Sequence, residues 1–388
     1  MPLPRPLIVL LWIAGLAVPQ SGVAQPESTC DGSGVNLTVR TVGLSVGDSE
    51  RTTGLRLNYR DRCLEAVQGL NLTLWLPKEA IGGDQDGLAG GNVNGVAVGL
   101  PLTGAKHLRG VGLGAGIAVE ETLSGVAVAL LGLGSGGRLR GAAVGGLGVG
   151  SGERLDGIMV GGLGAGAGEQ ANGLLVGGLG AGTGGTSNGF LLGGLGAGAG
   201  ENANGVVVGG LGAGTGKRAT GLFLGGVGAG AGEQARGILL GGLGAGAGER
   251  ATGFLAGGLG AGVGEHLVGV GVSAGAVGAG ETVTGVGIGG LGVGAGQGLN
   301  GIVVSGGVAG SRNMTGLGIA GGYMRIEEGT LRGVSVSGFN DIRGTQRGLT
   351  IGLVNYARTL HGIQLGLLNI ARNNPPAATV LPGLNLNL

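Results

Sequence analysis

From Gly141 to Thr252 one sixteen-residue phrase is repeated seven times without a gap. Two copies show its form: GLLVGGLGAGTGGTSN from Gly173 and GILLGGLGAGAGERAT from Gly237. So short and strict a period means a stack of equivalent units, each too small to bury its own apolar face and dependent on its neighbours. Glycine supplies 104 of 388 residues, and it brings no side chain to a core while losing the most entropy on ordering. An ordinary globular core is therefore excluded. Collagen is excluded too, since glycine alternates with Leu, Ala or Thr instead of falling at every third place, and Pro is scarce. With 42% hydrophobic residues and strict periodicity, the chain does not read as disordered.

The first glycine of the phrase can be followed outward from the regular block. It falls at Gly54, Gly69, Gly95, Gly110 and Gly125, regularly from Gly141 to Gly301, and then at Gly316, Gly333, Gly348 and Gly362. The wide step from Gly69 to Gly95 reads as an inserted loop containing Pro77, Gly82, Gly83 and Gly87. In the outer repeats, such as Gly54-Leu-Arg-Leu and Gly348-Leu-Thr-Ile, the second and fourth positions are apolar and the third polar. That is the period of a strand with one buried face. Positions thirteen and fourteen, as in Glu169-Gln170 and Lys217-Arg218, read as an exposed turn.

The expected architecture is all-β: a Gly-rich parallel β-solenoid of about twenty repeats of 15–16 residues. Its divisions are a signal peptide over 1–24, a lead segment over 25–53, a repeat array over 54–374 (most regular over 141–268), and a tail or cap over 375–388. The alternative is an antiparallel outer-membrane β-barrel, since sixteen residues also suffice for one membrane strand and a turn. Aromatic girdles are absent, which counts against the barrel. One feature favours a membrane or partner contact. With the second and fourth positions taken as buried, the third points outward, and in the central repeats it becomes apolar: Met159, Leu175, Leu191, Val207, Phe223, Leu239 and Leu255. These seven form a candidate contact stripe.

Export is read from the N-terminus. Arg5, the apolar run Leu7–Val18, Pro19 and the small residues Gly22-Val23-Ala24 have the three parts of a secretory signal. The only cysteines, Cys30 and Cys63, can close one disulfide in an oxidising compartment or stand as two unpaired thiols. A net charge of +1 gives no electrostatic case for nucleic acid.

The pair GLTIGLVNYA (Gly348–Ala357) and GIQLGLLNIA (Gly362–Ala371) resembles exported bacterial proteins of the leptospiral-type surface-repeat class. That resemblance covers about forty residues and implies bacterial export to the cell surface, outer membrane or periplasm, with no activity attached.

No catalytic, cofactor or metal constellation is read from the chain. Gly212-Ala-Gly-Thr-Gly216-Lys217-Arg218 fails as a phosphate loop, with Leu211 for the first glycine and Arg218 for the hydroxyl, so nucleotide binding is not expected. Calcium β-rolls need an Asp where Ala181 and Val149 stand. His107, His266 and His361 fall near turns of different repeats. The functional expectation is a non-enzymatic structural or surface-interaction protein whose partner is an unidentified protein or envelope component, with membrane contact; the alternative is a barrel that anchors or transports. Asp341, Arg343, Phe339 and Tyr323 share the least repetitive stretch, where a specific binding feature is sought first.

Overall fold

The computed structural model describes residues 34–40, 42–61, 64–74 and 91–387. The signal peptide, Cys30, Cys63 and the inserted loop lie outside the described residues. Those that are described form a parallel β-solenoid, and the barrel alternative is overturned. The decisive geometry is register. Gln170–Gly177 pairs in parallel with Arg154–Gly161 on one side and Thr186–Gly193 on the other, each residue lying over the one sixteen places away. A barrel of this kind would need antiparallel neighbours.

Each regular coil has a long strand and a short one, for example Gln170–Gly177 and Gly180–Thr183. Long strands stack on long strands and short on short. The phrase glycine sits in the middle of the long strand. Gly173 has φ +124°, and a Cβ there would lie 2.0 Å from the carbonyl oxygen of Gly157. No other residue fits both constraints. All twenty phrase glycines from Gly54 to Gly362 have positive φ, and Gly43 extends the column because Val42–Gly47 is already in parallel register with Arg51–Asn58. Among the described residues the outermost strand at each end runs antiparallel: Gly34–Val39 on Val42–Gly47, and Val380–Asn387 on the segment from Gly362 to Ile370.

The inward positions of one coil are Ala171, Leu175, Gly177, Ala181 and Thr183, all buried. A Cβ on Gly177 would stand 1.9 Å from the Gly180 carbonyl oxygen, so the bend closes too tightly for a side chain. In this coil the interior therefore holds one large residue, Leu175, flanked by Ala171 and Ala181. Where that residue is lost, its neighbours grow. Gly271 lies between Leu267 and Val277, and a Cβ there would come 2.6 Å and 2.8 Å from their methyls. Gly318 lies likewise beneath the terminal methyls of Met314 and Met324. In these two coils bulk passes from the middle site to the two flanking ones, as close packing demands.

This arrangement corrects the strand phase read from sequence. Met159, Leu175, Leu191, Val207, Phe223, Leu239 and Leu255 do form one column, but it lies inside, each at most 2% exposed. The candidate contact stripe is the core. The outer repeats misled because their polar third residues are interior as well: Arg56, Asn71, Thr350 and Gln364 are all 0% exposed. Buried polar groups are tolerated when they satisfy one another. Arg56 donates to Asp48 Oδ1 at 2.9 Å and Asn71 Oδ1 at 2.9 Å, and it also pairs with Asp61. At the other end Asn340 donates to Asn355 and Asn355 to Asn369, both at 2.7 Å. Gln364 donates to Gln346 at 3.0 Å. The aliphatic second and fourth residues, such as Leu174 and Val176, are the ones that face outward.

Candidate functional site

Two surfaces follow from the corrected phase. The first lies at the bend after the long strand. Leu131, Leu147, Leu163, Leu179, Leu195, Leu211, Val227, Leu243 and Leu259 stand one above another, each amide donating to the carbonyl below, as from Leu179 to Leu163 at 2.7 Å. Their side chains are between 44% and 69% exposed, and no charged residue interrupts the column. Beside them, outward long-strand residues such as Val208, Leu224 and Leu240 rise over the Gly-Gly bends and border a surface groove of about 600 Å³. The groove is lined by aliphatic residues and glycines, with Ser273 at one end.

The second surface sits on the short-strand side near the C-terminus. In the central coils the outward residues of the short strand are glycines, as in Gly180 and Gly182, leaving the face bare. Towards the C-terminus that face acquires side chains. One column reads Gly292, Val308, Tyr323, Phe339 and its neighbour Gly294, Gly310, Arg325, Asp341. Tyr323 and Phe339 pack on each other with ring centroids 5.4 Å apart and planes tilted by 57°. Asp341 is buried, and its Oδ2 accepts from the Tyr323 hydroxyl at 2.6 Å and from Arg343 Nε at 3.0 Å. Burial, then the hydrogen bond to Asp341, hold the Tyr323 phenol above its ordinary value. The hydrogen bond to Asp341 and that carboxylate's charge raise Arg343 in turn.

Arg343, Arg358 and Arg372 each stand ten residues beyond their phrase glycines, Gly333, Gly348 and Gly362. They fall on three successive coils and line one groove of about 700 Å³ with Tyr356 and the residues just described. The guanidinium carbon of Arg372 lies 5.9 Å from the centre of the Tyr356 ring. Among the described residues, neither Arg358 nor Arg372 pairs with a carboxylate. The four residues singled out from sequence are thus brought together; Tyr356, Arg358 and Arg372 were missed, although the offset that the two arginines share with Arg343 was visible.

The histidines remain apart. His107 Nε2 lies 3.3 Å from Glu121, and His266 Nε2 lies 3.2 Å from Glu281 in a separate turn. Among the described residues no group of three His, Cys, Asp or Glu side chains is placed to hold a metal ion. No family model matches the chain, and neither a curated protein nor a solved structure does.

Proposed function

We propose that this chain is an exported, non-enzymatic β-solenoid with a structural or surface-interaction role, and that the leucine ladder at the bend is its contact face. The ladder carries this reading. Nine half-exposed aliphatic side chains offer roughly 800 Å² of apolar surface, about what one partner contributes to a standard interface. Soluble proteins seldom leave so large a contiguous patch without a use. The N-terminal signal pattern and the resemblance to leptospiral-type surface-repeat proteins support export to a bacterial envelope setting.

The test replaces Leu179, Leu195 and Leu211 together by Ser in a tagged full chain produced in a Gram-negative host. Association with the envelope fraction, read by carbonate and urea washing, should fall by most of its value while thermal unfolding is unchanged. Undiminished association of the folded variant would remove the ladder from the function. Recovery of the unsubstituted chain in the cytoplasm would remove export.

A further inference from the structure

We infer that the C-terminal arginine–tyrosine groove binds an acidic polysaccharide, a sugar chain bearing carboxylate or sulfate groups, laid across the last coils. The argument begins with charge. Arg343, Arg358 and Arg372 occupy equivalent places on consecutive coils, and neighbouring strands lie about 4.8 Å apart. Like charges directly opposed across a ladder destabilise it. Only Asp341 answers them within the groove, and Arg343 together with the Tyr323 hydroxyl already engages it. Arg358 and Arg372 are exposed and pair with no carboxylate among the described residues. Neither charge is neutralised by a carboxylate among the described residues, whereas an anion lying along the column would neutralise them and accept forked hydrogen bonds.

The repeat selects the kind of anion. Cations that recur once per coil match a ligand whose negative groups recur along a chain better than they match a single small anion. The rings then choose between polymers. Single-stranded nucleic acid needs open aromatic faces on which bases stack. Here Tyr323 and Phe339 are packed against each other at a tilt, and the Tyr356 face is covered by Arg372. The groove therefore presents ring edges, a phenol hydroxyl and guanidinium forks, which suit hydroxyl- and carboxylate-bearing sugars. The bare glycine face leading into it leaves an extended chain unobstructed on one side.

Binding of the full chain to four probes tests the inference: polygalacturonate, dextran sulfate, neutral dextran and oligothymidylate. Polygalacturonate or dextran sulfate should bind with an affinity that falls as salt rises, and whichever binds tighter identifies the acidic group. Neutral dextran should not bind. In the Arg358→Gln/Arg372→Gln variant affinity should drop about tenfold or more, the loss expected of two charge-assisted hydrogen bonds. Tyr356→Leu, which withdraws the ring beneath Arg372, should weaken binding by a smaller factor. Unchanged thermal unfolding in both variants separates lost binding from lost structure. Tighter binding of oligothymidylate than of either acidic polysaccharide, binding unaffected by the double substitution, or no binding by either polyanion would each overturn the inference. None of these results depends on the leucine ladder, so the two proposals fail separately.

Discussion

Leu175 and Leu179 stand four residues apart in one phrase and do opposite work. Leu175 is 1% exposed and is the single large residue inside its coil, whereas Leu179 is 50% exposed on the ladder. Leu175→Ala should lower stability by about 2–5 kcal/mol, as buried leucine truncations do. Leu179→Ala should stay within about 0.5 kcal/mol. Urea unfolding of the two variants decides whether the phase described above is right. The exchange of bulk inside a coil gives a second expectation. Leu267→Ala, Gly271→Leu and Val277→Ala should each destabilise alone, yet the triple variant rebuilds the Ala251, Leu255, Ala261 pattern of the coil before it. Its loss should be far smaller than the sum of the three, measured in the same way. A third expectation concerns Tyr323. Its folded-state value is raised, so its contribution is fully present below the unfolded value near pH 10 and is lost as pH rises through the folded one. Tyr323→Phe should flatten the loss of stability from about pH 10 upward. A profile as steep as that of the unsubstituted chain would mean that Tyr323 is not the group being ionised.

At the scale of strands and coils, the two ends differ from the middle. The central interior is largely apolar, with single hydroxyls such as Thr183, but the C-terminal coils run an amide ladder through Asn340, Asn355 and Asn369, each also donating to a backbone carbonyl. Asn355→Ala should cost about 2–3 kcal/mol, since it leaves buried partners on both sides unsatisfied. Thermal unfolding and amide exchange confined to the last coils would report it. The sequence made the repeat and its parallel stacking plain, because identical phrases stack most simply in register. It hid which face points inward. In the centre three consecutive apolar residues, such as Leu174, Leu175 and Val176, carry no alternation. In the end coils the alternation is inverted, with Thr350 inside and Ile351 partly exposed. Only the hydrogen-bond partners of Arg56, Asn71, Thr350 and Gln364 reveal that polar residues can fill an interior, and several of those bonds, such as Arg56 to Asn71 and Gln364 to Gln346, cross between coils. The groove was half legible for a related reason: its arginines lie in different phrases and meet only through stacking.

Over the molecule as a whole, the antiparallel strands at the two ends limit what can add to the stack. Val380–Asn387 occupies the hydrogen-bonding edge of the last coil. Deleting it should expose that edge and cause concentration-dependent association, visible in light scattering. The sixteen-residue register of successive coils has a different kind of consequence. Because Gly173 already lies under Gly189, and Gly189 under Gly205, excision of residues 189–204 would bring Gly173 beneath Gly205 with like side chains on either side of the join. Duplication of the same span would insert a coil just as neutrally. Coil number is therefore uncoupled from folding: unequal recombination between phrases can adjust the reach of the molecule in whole ladder steps, while both ends and the groove near the C-terminus are carried along intact.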